Sequence, residues 1–190
     1  MTPQERSQAL RREAEEVLEL IHLREHCAAI GPVTLSGSYF LDLMMYPDID
    51  LYLPPTSAEA LLAVAAKLAQ YDCVREIVFA KGGPDDGDLA GGLYLKPRVQ
   101  HGDWARLWKI DIWSLPSAVA ERKQRELADL KARMTAEQRR LILDYKHSIL
   151  TDAGRTPIFS GIFTYRAVVN EGLADFAAIT AYLRANGIAV

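Results

Sequence analysis

Three aspartates stand where strand-forming sequence should exclude them. In D-I-D-L-Y-L, residues 48 to 53, Asp48 and Asp50 alternate with Ile49, Leu51 and Leu53. In R-L-W-K-I-D-I-W-S-L, residues 106 to 115, Asp111 lies between Ile110 and Ile112. Acidic residues are depleted in strands, so these carboxylates call for a chemical reason. Strand side chains alternate between faces, which sends Ile49, Leu51 and Leu53 to one side and Asp48, Asp50 and Tyr52 to the other. By the same rule Lys109, Asp111 and Trp113 share a face. Neighbouring carboxylates repel unless something positive sits between them. Hard divalent cations such as Mg²⁺ take oxygen ligands of this kind, usually with substrate phosphates completing the shell. If the two strands are neighbours, Asp48, Asp50 and Asp111 converge on one patch of sheet, expected to be open to solvent. L-S-G-S, residues 35 to 38, supplies a second component. A strand ending in glycine and serine before a helix offers backbone N–H groups and a hydroxyl to an anion. Gly37 permits close backbone approach, and Ser38 can donate to a phosphate oxygen. A phosphate cradle beside a carboxylate metal site equips a chain for phosphoryl or nucleotidyl transfer.

The elements that must position these residues are legible around them. T-P-Q-E at 2 to 5 is a capping box with proline at the first helical position. The spacing of Leu10, Ala14, Val17, Leu18 and Ile21 predicts a helix to about Ala28, ended by Gly31-Pro32. A short strand over 33 to 36, a short helix over 39 to 45 and a strand over 48 to 53 follow. T-S-A-E at 56 to 59 caps a helix to about Tyr71, and 73 to 80 reads as a third strand. Residues 81 to 92 form a turn-rich loop. Strands over 93 to 100 and 106 to 113 flank a hairpin turn at 101 to 103, and Pro97 places the first of them at a sheet edge. From Ser117 the pattern is helical: about 118 to 133, 136 to 150, 157 to 170 and 174 to 185. The expected architecture is α/β (α+β), a mixed-sheet core over 1 to 115 followed by a C-terminal helical region over 116 to 190 packed on it.

The chain has 190 residues, 49% hydrophobic and 25% charged, the composition of an ordinary soluble globular protein. A net charge of −3 offers no global attraction to nucleic acid or an anionic membrane. Any nucleic-acid contact must be local. Cys27 and Cys73 suit a reducing compartment, no apolar run approaches a membrane span, and the N-terminus resembles no targeting signal. A cytoplasmic location is expected.

L-S-G-S at 35 to 38, D-I-D-L at 48 to 51 and I-D-I at 110 to 112 together resemble the nucleotidyltransferase superfamily typified by DNA polymerase beta. The resemblance covers about residues 30 to 115. It implies that Gly37 and Ser38 hold the triphosphate of an NTP and that Asp48 and Asp50 ligate Mg²⁺ or Mn²⁺. Asp111 would ligate a second metal and help to deprotonate an acceptor hydroxyl. Many small members carry an arginine soon after the Gly-Ser pair, whereas Tyr39, Phe40, Leu41 and Asp42 stand here. The implied activity moves a nucleoside monophosphate from an NTP to a hydroxyl-bearing acceptor, with release of pyrophosphate. The alternative is a non-catalytic binding or regulatory module on the same fold, as in toxin–antitoxin systems built on this superfamily.

Plainer readings stand beside these. Asp48 and Asp50 fit a solvated strand face, and Asp111 fits a salt bridge to a nearby lysine or arginine. His22, His26 and Cys27 share a helix face but have no second ligand cluster, so packing is the better reading. Asp85, Asp86 and Asp88 lack the spacing of a calcium loop and read as a mobile turn. Trp104 and Trp108 suit packing, and Trp113 shares the face of Asp111. Lys96, Arg98, Arg106 and Lys109 make the hairpin locally basic, suited either to a phosphate or to solvent. Lys146, Tyr165 and Arg166 are candidates for nucleotide contact by position alone and are not adopted as site residues.

Overall fold

The computed structural model describes residues 1 to 190 apart from the side chain of Asp88, so that part of the acidic-turn reading lies outside the described residues. Helix α1 (Pro3–Leu20) starts on a reciprocal capping box: Thr2 Oγ1 accepts from the Glu5 N–H, and Glu5 returns a bond to the Thr2 N–H. It stops short of the expected Ala28. His22 adopts a left-handed φ of 46°, and a separate helix α2 (Leu23–Cys27) follows. Ile21 and Leu23 are both fully buried. Residues two apart cannot share the face of one helix, and the break at His22 lets both turn inward.

The chain then runs through β1 (Thr34–Ser36), α3 (Gly37–Leu41), β2 (Asp48–Leu53), α4 (Ala58–Leu68), β3 (Val74–Lys81), β4 (Leu93–Val99) and β5 (Trp108–Ser114). The five strands form one mixed sheet in the order β1-β2-β5-β4-β3, with β2 and β5 parallel and the remaining pairs antiparallel. Helices α1, α2 and α4 bury one face of it. Leu10, Val17, Leu23, Leu61 and Leu68 pack there with Ile49, Leu51, Ile110 and Ile112 from the strands.

The expectation that Pro97 marks an edge is overturned, because β4 lies between β5 and β3, and β3 forms the edge. The β4–β5 register passes from Leu95↔Ile112 to Arg98↔Lys109 without the two pairs between them. The missing N–H of proline is thus absorbed by a gap in an internal ladder.

After residue 116 come α5 (Ser117–Arg133), α6 (Ala136–Ser148), α7 (Ser160–Tyr165), a π-helical turn (Arg166–Asn170) and α8 (Phe176–Ala185). Helix α7 starts later than position 157, because Phe159 takes a left-handed φ of 61° ahead of it. These helices enclose Leu41, Leu43 and Met45 in a second cluster with Leu130, Ile142, Tyr145 and Val168. Three cations from them satisfy carbonyls of the segment that leads into β2. Lys131 Nζ donates to Phe40 O, Arg139 Nη1 to Leu41 O and Asp42 O, and Lys146 Nζ to Leu43 O. The C-terminal carbonyls of a helix lack intrahelical donors, and α3 is supplied by α5 and α6.

Leu43 is fully buried in this second cluster, on a segment continuous with β2. Leu43→Ala is expected to cost about 2–5 kcal/mol and to lower a single unfolding transition. Two separate transitions in calorimetry, only one of them shifted, would show that the two clusters unfold independently.

Candidate active site

Parallel pairing of β2 with β5 sets Asp50 directly beside Asp111 and Asp48 beside Lys109. Side chains directly paired across strands project to the same face, so Asp48, Asp50 and Asp111 stand together on the face opposite the α1–α4 packing. That face is not open to solvent as expected. Asp48 is only 8% exposed, because side chains from β4, β5 and the helical region crowd round it.

Lys109 lies at the centre. Its Nζ is 2.9 Å from Asp48 Oδ1 and donates at 2.8 Å to Asp111 Oδ2, while the Tyr94 hydroxyl donates to Asp111 Oδ1 at 2.6 Å. Both oxygens of Asp111 are therefore engaged, and the salt bridge envisaged for it exists, from a lysine of its own strand. The Asp48 contact is a close ion pair to the same ammonium. Among the described residues no group of three or more His, Cys, Asp or Glu side chains is arranged to hold a metal ion. The gap between Asp48 and Asp111 holds an ammonium instead. Burial lowers the affinity of Lys109 for its proton, but Asp48 and Asp111 outweigh this and hold its pKa above the ordinary lysine value.

Asp50 faces Gly37. Gly37 has a left-handed φ of 56°, and a Cβ built on it would lie 1.9 Å from Asp50 Oδ2. Only glycine fits, on both counts. Ser38 follows in α3, with its carbonyl accepting from the Leu43 N–H at 2.8 Å. Burial first, and then the charges of Asp48 and Asp111, push the Asp50 carboxyl up to about 8. Burial likewise raises Asp48, against the pull of Lys109.

The helical region contributes Lys146, which is 2% exposed and donates to Leu43 O at 2.5 Å and to the Tyr165 hydroxyl at 3.0 Å. Burial drives its pKa down to about 8, while Asp48 and Asp50 pull the other way. Of the three residues named by position in the helices, Lys146 and Tyr165 meet beside the carboxylates. Arg166 turns away to Glu126 at 2.6 Å. Tyr94 is the neighbour that sequence reasoning missed, although its alternation with Leu95 on β4 was the available signal. Trp113 stacks on Tyr94 with ring centroids 4.4 Å apart, Trp108 is fully buried, and Trp104 donates to Glu13. His26 meets the Tyr71 hydroxyl at 2.9 Å and His22 stacks on the same ring, so this cluster is packed as expected.

The Asp50 shift gives stability a pH dependence. The folded carboxyl keeps a proton that the unfolded chain releases near 3.8. Its contribution is therefore full below that value and is lost as pH rises through about 8. Without divalent cations, Asp50→Asn should melt higher than the native protein at pH 8, by about 3 °C or more. The difference should shrink toward pH 5. Melting curves whose separation is the same at both pH values would contradict the assignment.

No family model matches the chain, and no curated protein matches it. Solved structures do. The GLD-2/RNP-8 complex aligns with a TM-score of 0.54 at 13% identity, over 87% of this chain and 64% of that one. The non-canonical poly(A) polymerase complex GLD-2–GLD-3 gives 0.52 at 16% identity, over 89% and 56%. The Cid1 poly(U) polymerase with MgGTP bound gives 0.51 at 14%, over 73% and 43%. The chain thus spans about 43 to 64% of the length of these neighbours. At such identities the likeness is one of fold alone: this chain shares its backbone architecture with these structures.

Proposed function

We propose that the protein transfers a nucleoside monophosphate from an NTP to an acceptor hydroxyl and releases pyrophosphate. The observation that carries this reading is the convergence of Asp48, Asp50 and Asp111 on one sheet face, with Asp50 against a position that only glycine can occupy. The buried Asp48 carboxylate and the repulsion felt by Asp50 suit hard divalent cations. Asp48 and Asp50 would hold Mg²⁺ or Mn²⁺, and Asp111 a second ion, once the Lys109 ammonium withdraws. When bound, such ions stabilise developing phosphoryl charge and acidify an attacking hydroxyl.

The chain's own residues do the rest. Gly37 lets backbone approach the triphosphate and Ser38 donates to it. Tyr94 holds Asp111 by one oxygen, which aims the other, now on Lys109, at the acceptor's proton. Lys109, on leaving the carboxylates, stays within reach of phosphate oxygens as a tethered positive charge. The neighbours include an RNA terminal U-transferase and poly(A) polymerases, so an RNA end is one acceptor in keeping with the fold. The net charge of −3 requires that such contact be local.

One observation favours a second reading, a non-catalytic module of the same fold. Lys109 already neutralises Asp48 and Asp111, as a site that has given up metal would require. Thermal melts separate the two. With Mg²⁺ and mixed NTPs the native protein should rise in Tm, and Asp50→Asn should gain less. Lys109→Met should melt lower than the native protein without metal, since its carboxylates lose their counter-charge. It should then gain more on adding Mg²⁺. Native melts indifferent to Mg²⁺ and NTP would favour the module.

A further inference from the structure

Arg106 is the least satisfied cation near the site. Its Nε and Nη1 are both buried, and neither has a hydrogen-bond partner. Arg11, Arg133, Arg139 and Arg166, by contrast, each donate to a carboxylate or a carbonyl. The Arg106 side chain lies over the Tyr46 ring at 5.3 Å and passes close to Gly154. Asp48 is near enough for its charge to be felt, yet no ion pair joins the two. Two further arginines bear on the same spot. Arg98, on β4 opposite Lys109, and Arg155, from the loop after α6, both oppose the charge of Arg106. Neither makes an ion pair among the described residues, although Glu76 faces Arg98 across the β3–β4 ladder.

Two buried donors with unmade hydrogen bonds are costly, and gathering like charges beside them adds to that cost. An oxyanion taken end-on by Nη1 and Nη2 gives Nη1 an acceptor and the gathered positive charges a counter-ion. The cluster stands at the Asp48 end of the carboxylates, whereas Gly37 abuts Asp50. An anion held by Arg106 is thus set apart from the cradle assigned to the triphosphate.

We propose that Arg106, assisted by Arg98 and Arg155, binds a phosphoryl group of the acceptor at the Asp48 end of the site. The acceptor is thereby a phosphorylated molecule, with its hydroxyl presented to Asp111 and its phosphate to the arginines. This rests on the nucleotidyl-transfer reading for its purpose, but the anion site itself can be measured alone.

Two probes distinguish the sources of such a phosphate. A hexaribonucleotide without terminal phosphates carries only phosphodiesters, and ribose 5-phosphate carries only a monoester. Calorimetric titration of the native protein should show binding of at least one of them. Arg106→Met should weaken that probe at least about tenfold, Arg155→Met should weaken it less, and Arg106→Lys should restore part of the loss. Binding of the hexanucleotide alone assigns a nucleic-acid acceptor, and binding of ribose 5-phosphate alone a small one. Without either probe, Arg106→Met should melt at or above the native temperature, because it removes an unpaired buried charge; a lower melting temperature means a structural arginine and overturns the proposal. Failure of both probes to bind native protein, or equal binding by Arg106→Met and Arg155→Met, also overturns it. The Mg²⁺–NTP melting shift, recorded on the same samples, reports separately on nucleotidyl transfer. Phosphate binding through Arg106 without that shift leaves the anion site standing and removes the transfer reading.

Discussion

Parallel pairing of two acidic strands is the constraint from which the rest of the site follows. Placing Asp50 beside Asp111, and Asp48 one pleat away, brings like charges together on a face that the helices shield from water. Such an arrangement requires positive charge within contact distance. In this chain the charge is supplied internally, by Lys109 between Asp48 and Asp111. Neutralisation is incomplete: Asp50 faces Gly37, and burial, then the charges of Asp48 and Asp111, push its carboxyl up to about 8. Three carboxylates thus share one resident ammonium, with Asp50 left outside the pairing.

The helical region is tied to this arrangement through backbone carbonyls as well as through apolar packing. Lys131, Arg139 and Lys146 donate to carbonyls of residues 40 to 43, the segment joining the glycine turn to β2. Lys146 also reaches Tyr165 and feels Asp48 and Asp50. The buried lysine links α6, α7 and the approach to the carboxylates. Charge introduced at the carboxylates is therefore sensed by the element that holds the approach segment in place.

Much of this was legible because strand alternation has a period of two. Asp48, Asp50 and Asp111 declared themselves as polar residues in apolar strands, and the Gly37 turn stood next to them. Strand adjacency was a condition, not a deduction, since one sequence carries no pairing information between segments 60 residues apart. Lys109 was read with the basic hairpin, because its partners come from that adjacency. Pro97 misled, since its missing N–H fits a gap inside a ladder as well as an edge. The helix break at His22 was invisible for a similar reason. Burial of both Ile21 and Leu23 is imposed by packing that local spacing does not record.

The central claim is that Lys109 and a divalent cation compete for the same carboxylates. The most direct measurement is a crystal structure with Mn²⁺ and a non-hydrolysable NTP, using anomalous scattering to locate the metal. The account predicts a manganese peak among Asp48, Asp50 and Asp111, with the Lys109 ammonium displaced from between them. Bound nucleotide with Lys109 still bridging Asp48 and Asp111, and no manganese peak there, would contradict it.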